Sequence, residues 1–275
     1  MKTIIVTGSN SGIGREAALN LAGSGHRILM LCRDSDKSIK AHQEIVFQSG
    51  NENVFLIPVD LSDPNSIRSA VENIKKEYQV IDVLVNNAGV YKVKRQKTQN
   101  GVEMTFAVNF LATFMLSQML LENLETTGNG RIINVVSELY KNGSIDFDNL
   151  MLEKGYKVGD AYANSKLATV LYTVELAERV RRKGISVNAL HPGVLATDSF
   201  RDYPRLLTKI LNLFLEKPQK GGERIAYLAI SEEVKGVSGK YFFKTEEQEI
   251  DIPDQTRDTT EKLWQIAEQF TGLNA

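Results

Sequence analysis

The chain has 275 residues, 33 lysines and arginines against 34 aspartates and glutamates, and a formal net charge of −1. With 42% hydrophobic and 24% charged residues it has ordinary globular composition and enough apolar material for a sizeable core. The balanced charge gives no reason to expect nucleic acid or an anionic membrane as a partner, and the single cysteine, Cys32, excludes an intrachain disulfide and fits a reducing compartment.

Short Val- and Ile-rich runs alternate with longer segments of helical period. Strands are predicted over Thr3–Thr7, Arg27–Cys32, Val54–Val59, Val83–Asn86, Ile132–Val136, Ile185–Leu190 and Lys240–Phe243. Between and after them, helices are predicted over Ile13–Gly23, Lys37–Ser49, Pro64–Tyr78, Val102–Leu124, Tyr162–Lys183, Pro204–Leu215, Gly221–Glu232 and Thr260–Phe270. Pro64, preceded by Ser62 and Asp63, is a good helix start. The first strand begins too early to leave room for a signal peptide or a spanning segment, so a cytoplasmic protein with no integral membrane segment is expected. The alternation predicts an α/β fold, doubly wound, with a mainly parallel seven-stranded sheet of order 3-2-1-4-5-6-7 and helices on both faces, a Rossmann-type architecture. No repeat, low-complexity tract or linker divides the chain, and residues 1–275 are expected to form one domain.

The segment Gly8-Ser9-Asn10-Ser11-Gly12-Ile13-Gly14 joins the first strand to the first helix. Glycines there allow a tight turn and let the backbone approach a pyrophosphate at the helix N-terminus. A methyltransferase with an adenosyl cofactor uses a similar turn, so this segment alone does not name the chemistry. After the second strand comes Cys32-Arg33-Asp34. An acid here accepts from the ribose 2′-hydroxyl of NAD, whereas a 2′-phosphate needs a cation. Cys32 stands where the acid is expected and Arg33 follows, which points to NADP(H), with Arg15 as additional nearby charge. The rival reading makes Asp34 the ribose acceptor and Arg33 a solvated loop residue.

Tyr162 and Lys166 are four apart on a predicted helix and share one face. An ammonium beside a phenol favours the phenolate and is expected to lower its pKa into a useful acid/base range. Ser137 ends the fifth strand, Asn86-Asn87-Ala88-Gly89 ends the fourth, and His191-Pro192-Gly193-Val194 ends the sixth with Thr197 beyond. Carboxyl ends of parallel strands are where such sheets bind ligands. Asn109, inside a predicted helix where Asn is mildly unfavourable, asks for a reason.

This set, Thr7-Gly8-x-x-x-Gly12-x-Gly14, Asp60, Asn86-Asn87-Ala88-Gly89, Asn109, Ser137, Tyr162-x-x-x-Lys166, Pro192-Gly193 and Thr197, resembles the short-chain dehydrogenase/reductase family, in its order and over nearly the whole chain. Cys32-Arg33-Asp34, Tyr162–Ala168, Leu190-His191-Pro192-Gly193 and Ser238–Phe242 resemble its retinol-dehydrogenase-like branch. The resemblance implies that Tyr162 passes a proton to or from the reacting oxygen, Lys166 lowers its pKa and holds the nicotinamide ribose, and Ser137 hydrogen-bonds the substrate oxygen. Asn109 is implied in a proton-relaying water chain, Asp60 and Leu61 at the adenine, Asn86 in support of the cofactor loop and Thr197 at the carboxamide. Gly8, Ser9, Ser11, Gly12, Ile13, Gly14, Arg33, Asn87, Ala88, Gly89, Pro192, Gly193 and Val194 complete the implied cofactor contacts. Val136 stands where the family often has a second serine, and the long interval from Ser137 to Tyr162, including Ser144–Lys157, is expected to loop out beside the substrate pocket. Branch members commonly carry an apolar N-terminal anchor that this chain lacks, so their membrane location is not transferred.

His26, His42 and His191 are scattered and no metal site is expected. Lys92, Lys94, Arg95 and Lys97 read as a solvated loop, and Arg179, Arg181, Arg182 and Lys183 as cations at a helix C-terminus. Leu206, Ile210 and Phe214 recur at helical spacing within 197–217, either as core or as the inner face of a substrate lid. The expected activity is hydride transfer between NADP(H) and a small-molecule carbonyl or alcohol, with a hydrophobic aldehyde or ketone favoured. An NAD-preferring dehydrogenase and a non-catalytic dinucleotide-binding regulator are the alternatives, and a homo-oligomer is compatible with the sequence.

Overall fold

A computed structural model describes residues 1–194, 216–250 and 257–273. The apolar runs form β1 (Thr3–Thr7), β2 (Arg27–Cys32), β3 (Val54–Pro58), β4 (Val83–Asn86), β5 (Gly130–Val135), β6 (Ile185–His191) and β7 (Tyr241–Phe243), paired in parallel in the order β3-β2-β1-β4-β5-β6-β7. β1, β4, β5 and β6 are buried along their whole length, which is why they read as unbroken apolar runs rather than as alternation. An eighth strand, β8 (Glu246–Gln248), pairs antiparallel with β7, so among the described residues the sheet has eight strands and not the seven expected. Its sequence, Glu-Glu-Gln, is exposed at all three positions, and a search for apolar runs passes over it. Charged side chains on a short outer strand also discourage edge-to-edge pairing with another chain.

Among the described residues, seven helices cover the sheet. α1 (Gly12–Gly23), α2 (Asp36–Ser49) and α6 (Pro218–Ile230) pack on the face carrying Ile4, Val6, Ile28, Met30 and Val85. On the other face, α3 (Pro64–Glu77), α4 (Met104–Glu125), α5 (Val158–Arg179) and α7 (Arg257–Thr271) cover Ile5, Leu29, Leu84, Ile132 and Val187. Successive residues of β1 therefore serve opposite cores, as a period of two requires. α3 starts as expected: Asp63 accepts from Asn65 N–H and Pro64 occupies the first turn. α4 is, among the described residues, the one helix long and apolar enough to cross a bilayer, but 78% of its apolar window is buried inside the protein. Core packing between the sheet and α5 therefore accounts for its hydropathy. Within α4 the residues Ala107–Leu111 form a π-helical turn, a feature that bulges the backbone and frequently marks a functional site. The strand order reverses between β1 and β4, and a crevice opens there at the carboxyl ends of the strands.

Candidate active site

The crevice is a cleft of about 1230 Å³ bordered by residues just past β1 (Gly8), β2 (Arg33), β3 (Val59, Asp60), β4 (Asn87–Val90), β5 (Val136, Ser137) and β6 (Pro192–Val194). That exceeds the roughly 300–1,000 Å³ typical of a single drug-sized ligand and suits two ligands side by side.

One end is built around the glycine turn. Gly8 and Gly12 hold left-handed conformations (φ +66° and +55°), and a Cβ at Gly14 would lie 2.3 Å from Asn87 Nδ2 and 2.6 Å from the Gly8 carbonyl oxygen. The chain can double back this tightly only with glycine. Ser11, the residue before α1, makes no side-chain cap, so the first-turn N–H groups of α1 are left for an anion in the cleft. Arg33 and Lys37 border the same end, whereas Asp34 does not. Ser38 Oγ holds the Arg33 carbonyl at 2.7 Å, fixing the start of that loop. Arg15, expected to add charge here, is instead paired with Glu16 (2.8 Å) and Glu44 (2.9 Å). Ser9 also turns away: it is fully buried, donates to the Val6 carbonyl at 3.0 Å and sits 3.3 Å from Cys32 Sγ, while Asn10 borders the cleft in its place.

At the other end, β5 and α5 bring Ser137, Tyr162 and Lys166 together. Lys166 is buried, donates from Nζ to the Val135 carbonyl at 2.9 Å and lies 5.6 Å from the Tyr162 ring centroid. Burial pushes the Tyr162 phenol up to about 12, with only a hydrogen bond to Ser137 acting the other way. The expectation that Lys166 lowers this pKa is therefore not met in the protein alone: desolvation dominates, and the ammonium is spent on a carbonyl. Burial also brings Lys166 itself down to about 8. Tyr91 packs against Tyr162 with ring centroids 5.2 Å apart, and Met104, Val108, Leu139 and Val194 add apolar surface to the cleft wall.

The model of the short chain dehydrogenase family matches residues 2–205. The chain belongs to the short-chain dehydrogenase/reductase family. Human retinol dehydrogenase 14 is 37% identical over 291 residues, 99% of this chain and 87% of the relative, and human retinol dehydrogenase 13 is 38% identical over 283 residues, covering 100% and 86%. These identities put the chain in the retinol-dehydrogenase-like branch. Among solved structures, an uncharacterized protein from Mycobacterium Paratuberculosis superposes with a TM-score of 0.78 at 26% identity, covering 99% of this chain and 94% of the other. A short chain dehydrogenase from Burkholderia cenocepacia in complex with NADP superposes at 0.71 with 25% identity, covering 88% and 95%.

Short-chain dehydrogenases use NAD(P)(H), and the cleft fits a dinucleotide on its own terms: a glycine cradle, a helix start without a side-chain cap, and the cations Arg33 and Lys37 at the same end. Two amides differ from the family's implied roles. Asn86 is buried between strands, donating to Ser117 Oγ (3.1 Å) and Asn134 Oδ1 (2.9 Å), and it is Asn87 that supports the cofactor loop, tying Thr7 to β4 through Nδ2 and its backbone N–H. Asn109, in the π-helical turn, does not border the cleft. Its Oδ1 accepts from Val90 N–H at 2.8 Å, and its Nδ2 donates to the Val90 carbonyl and to Ser165 Oγ. It thus locks the Gly89–Val90 backbone against α5, where a Cβ at Gly89 would lie 3.7 Å from Lys166 Nζ.

The insertion Ser144–Lys157 does not border the cleft either. It braces the Tyr91–Gln96 loop from behind: Arg95 donates to the Met151 carbonyl at 2.9 and 3.1 Å, Lys97 pairs with Glu153 at 3.0 Å, and the Tyr156 hydroxyl donates to the Lys92 carbonyl at 2.5 Å. The basic run is accordingly more than a solvated loop. Thr197, Leu206, Ile210 and Phe214, and the lid expected over 197–217 apart from Glu216 and Lys217, lie outside the described residues. Asn10, Lys37, Tyr91, Leu139 and His191 border the cleft without having been expected there. His191 had a signal, since it belongs to the motif that ends the sixth strand, and Tyr91 follows two residues after the motif that ends the fourth, whereas Lys37 had none beyond its charge.

Proposed function

We propose that the protein transfers a hydride between NADP(H) and a hydrophobic aldehyde or ketone, or the corresponding alcohol. The observation that carries this reading is the meeting of Ser137, Tyr162 and Lys166 at one end of a cleft whose other end presents Arg33 and Lys37. A bound nicotinamide supplies or accepts the hydride. In the reductive direction the carbonyl carbon gains that hydride and the carbonyl oxygen gains the Tyr162 proton. A phenol held at about 12 stays protonated at neutral pH and is ready to donate. Ser137 donates to the oxygen as negative charge develops on it and, through its hydrogen bond to Tyr162, favours the phenolate left behind, while Lys166, held on the Val135 carbonyl with a pKa of about 8, keeps a positive charge at this end of the cleft at neutral pH.

Preference for the 2′-phosphate is supported by Arg33 and Lys37 at the rim and by the absence of Asp34 from it. An apolar substrate is supported by Tyr91 packed on Tyr162 and by Met104, Val108, Leu139 and Val194 elsewhere along the cleft wall. The test is NADPH oxidation with straight-chain aldehydes of rising length, repeated with NADH. kcat/KM should climb with each methylene until the wall is covered, at about 25 cal/mol per Å² buried, and NADPH should be preferred. A flat series, or preference for a carboxylate-bearing substrate, would sink the substrate assignment; equal use of NADH would favour the NAD-preferring alternative; and cofactor binding without turnover on any carbonyl would leave the regulator.

A further inference from the structure

Among the described residues, three contacts converge on Glu216. Its N–H donates to the Val194 carbonyl at 3.2 Å, and its carboxylate pairs with Arg224 of α6 at 2.5 Å and with Lys244 at 2.8 Å. Arg224 also holds the turn after β6, and the Lys244 backbone continues the β6–β7 ladder to the last residue before that turn. Arg224 Nη1 donates to the Pro192 carbonyl at 2.6 Å, and the Lys244 N–H donates to the His191 carbonyl at 2.8 Å. His191, Pro192, Gly193 and Val194 all border the cleft, whereas Glu216, Arg224 and Lys244 do not.

Two backbone observations point to the same tie. Gly193 lies at φ +93°, and a Cβ there would come 2.8 Å from Arg224 Nη1, so the guanidinium rests directly on the turn. Lys244 opens the β7–β8 reversal at φ +61°, a left-handed conformation that disfavours any residue with a Cβ. Glycine would fit that position without strain, yet the chain places there a lysine whose ammonium reaches Glu216. Strain kept at a turn beside a functional cleft is a reason to look for a function.

We propose that Glu216, Arg224 and Lys244 form a clamp that fixes the His191–Val194 turn as one wall of the cleft, acting as positioning residues for the cofactor and substrate end. The proposal rests on the hydride-transfer reading above. The clamp also gives the β7–β8 hairpin a role: it delivers Lys244 to Glu216.

The test compares wild type with Lys244→Gly, Lys244→Arg and Glu216→Gln. The readouts are NADPH binding by fluorescence, steady-state kinetics with an aliphatic aldehyde, and Tm. Because glycine relieves the backbone strain, Lys244→Gly should hold or raise Tm while kcat/KM for NADPH falls about tenfold, mostly through KM, as a misplaced wall would cause. Glu216→Gln should shift kcat/KM in the same direction, and Lys244→Arg, which keeps the cation, should stay within about twofold of wild type. The clamp is overturned if Lys244→Gly and Glu216→Gln both keep wild-type kinetics. It is equally overturned if Lys244→Gly loses Tm in step with activity, since the triad would then be a tie for the fold alone. A wild type that neither binds nor oxidises NADPH would overturn the hydride-transfer reading and the clamp with it.

Discussion

At the β1–β2 end of the cleft the chain offers backbone and surface charge, whereas at the β5–α5 end it offers buried side chains. The first end works through N–H groups at the start of α1, through glycines whose lack of a side chain is their contribution, and through the exposed Arg33 and Lys37. The second works through a buried ammonium, a phenol pushed up by desolvation and an amide in a π-helical turn whose donors and acceptor are all spent. The contrast follows from the tasks. Holding a phosphate needs positive potential and close approach, which water tolerates. Moving a proton needs groups taken out of water, and that burial costs stability.

The largest effect should come from the buried end. Tyr162→Phe keeps the ring and its packing on Tyr91 but removes the transferable proton, so turnover should fall by roughly 10²-fold or more while NADPH still binds. Single-turnover kinetics beside fluorescence binding separate the two, and near-full activity would break the assignment of chemistry to this end. Arg33→Ala at the other end should weaken NADPH by about 1.5–3 kcal/mol and leave NADH nearly unchanged. Equal losses for both cofactors would mean that Arg33 only shapes the loop. Gly14→Ala should act on backbone geometry: its Cβ would displace Asn87 Nδ2, which now donates to the Thr7 carbonyl at 2.8 Å. A cost of about 1–3 kcal/mol is expected, visible as lower Tm and weaker binding of both cofactors alike. A loss confined to NADPH would contradict the packing role.

The strands were legible because β1, β4, β5 and β6 are buried on both faces, and a run such as Ile4-Ile5-Val6 has few other structures to adopt. β8 was not, because pairing with β7 alone makes Glu246–Gln248 a strand, and long-range pairing leaves no local trace in three polar residues. The catalytic trio was legible from type and spacing, since Tyr162 and Lys166 one helical turn apart share a face whatever surrounds them. Orientation was the illegible part. Ser9 and Asn10 are neighbours in one turn, yet one is buried against Cys32 and the other borders the cleft. Arg15 follows the glycines but finds Glu44 on α2. Sequence placed Asn109 inside a helix and asked for a reason; the answer, hydrogen bonds to Val90 and Ser165, needed the fold. The sign of the Tyr162 shift depended on burial, which spacing does not report.

The smallest effect tests the cost of the buried end directly. Lys166 has a folded pKa of about 8 against an ordinary 10.5. Below pH 8 it is charged in both folded and unfolded chains, and its burial penalty is complete and constant. Between 8 and 10.5 the unfolded chain holds more protons than the folded one, so raising the pH stabilises the fold through this group. Tyr162 acts in the opposite sense at higher pH: its folded pKa of about 12 lies above the ordinary 10, so its stabilising contribution is present below 10 and lost between 10 and 12. Lys166→Met removes the buried charge at the cost of the bond to the Val135 carbonyl, a loss that does not vary with pH below 8. The Tm of Lys166→Met relative to wild type should therefore be highest below pH 8 and decline steadily toward pH 10.5, by a few degrees in all, while activity is lost throughout. A difference in Tm that stays constant across this window would mean that Lys166 keeps its ordinary pKa, and that the two ends of the cleft are less unlike than their burial implies.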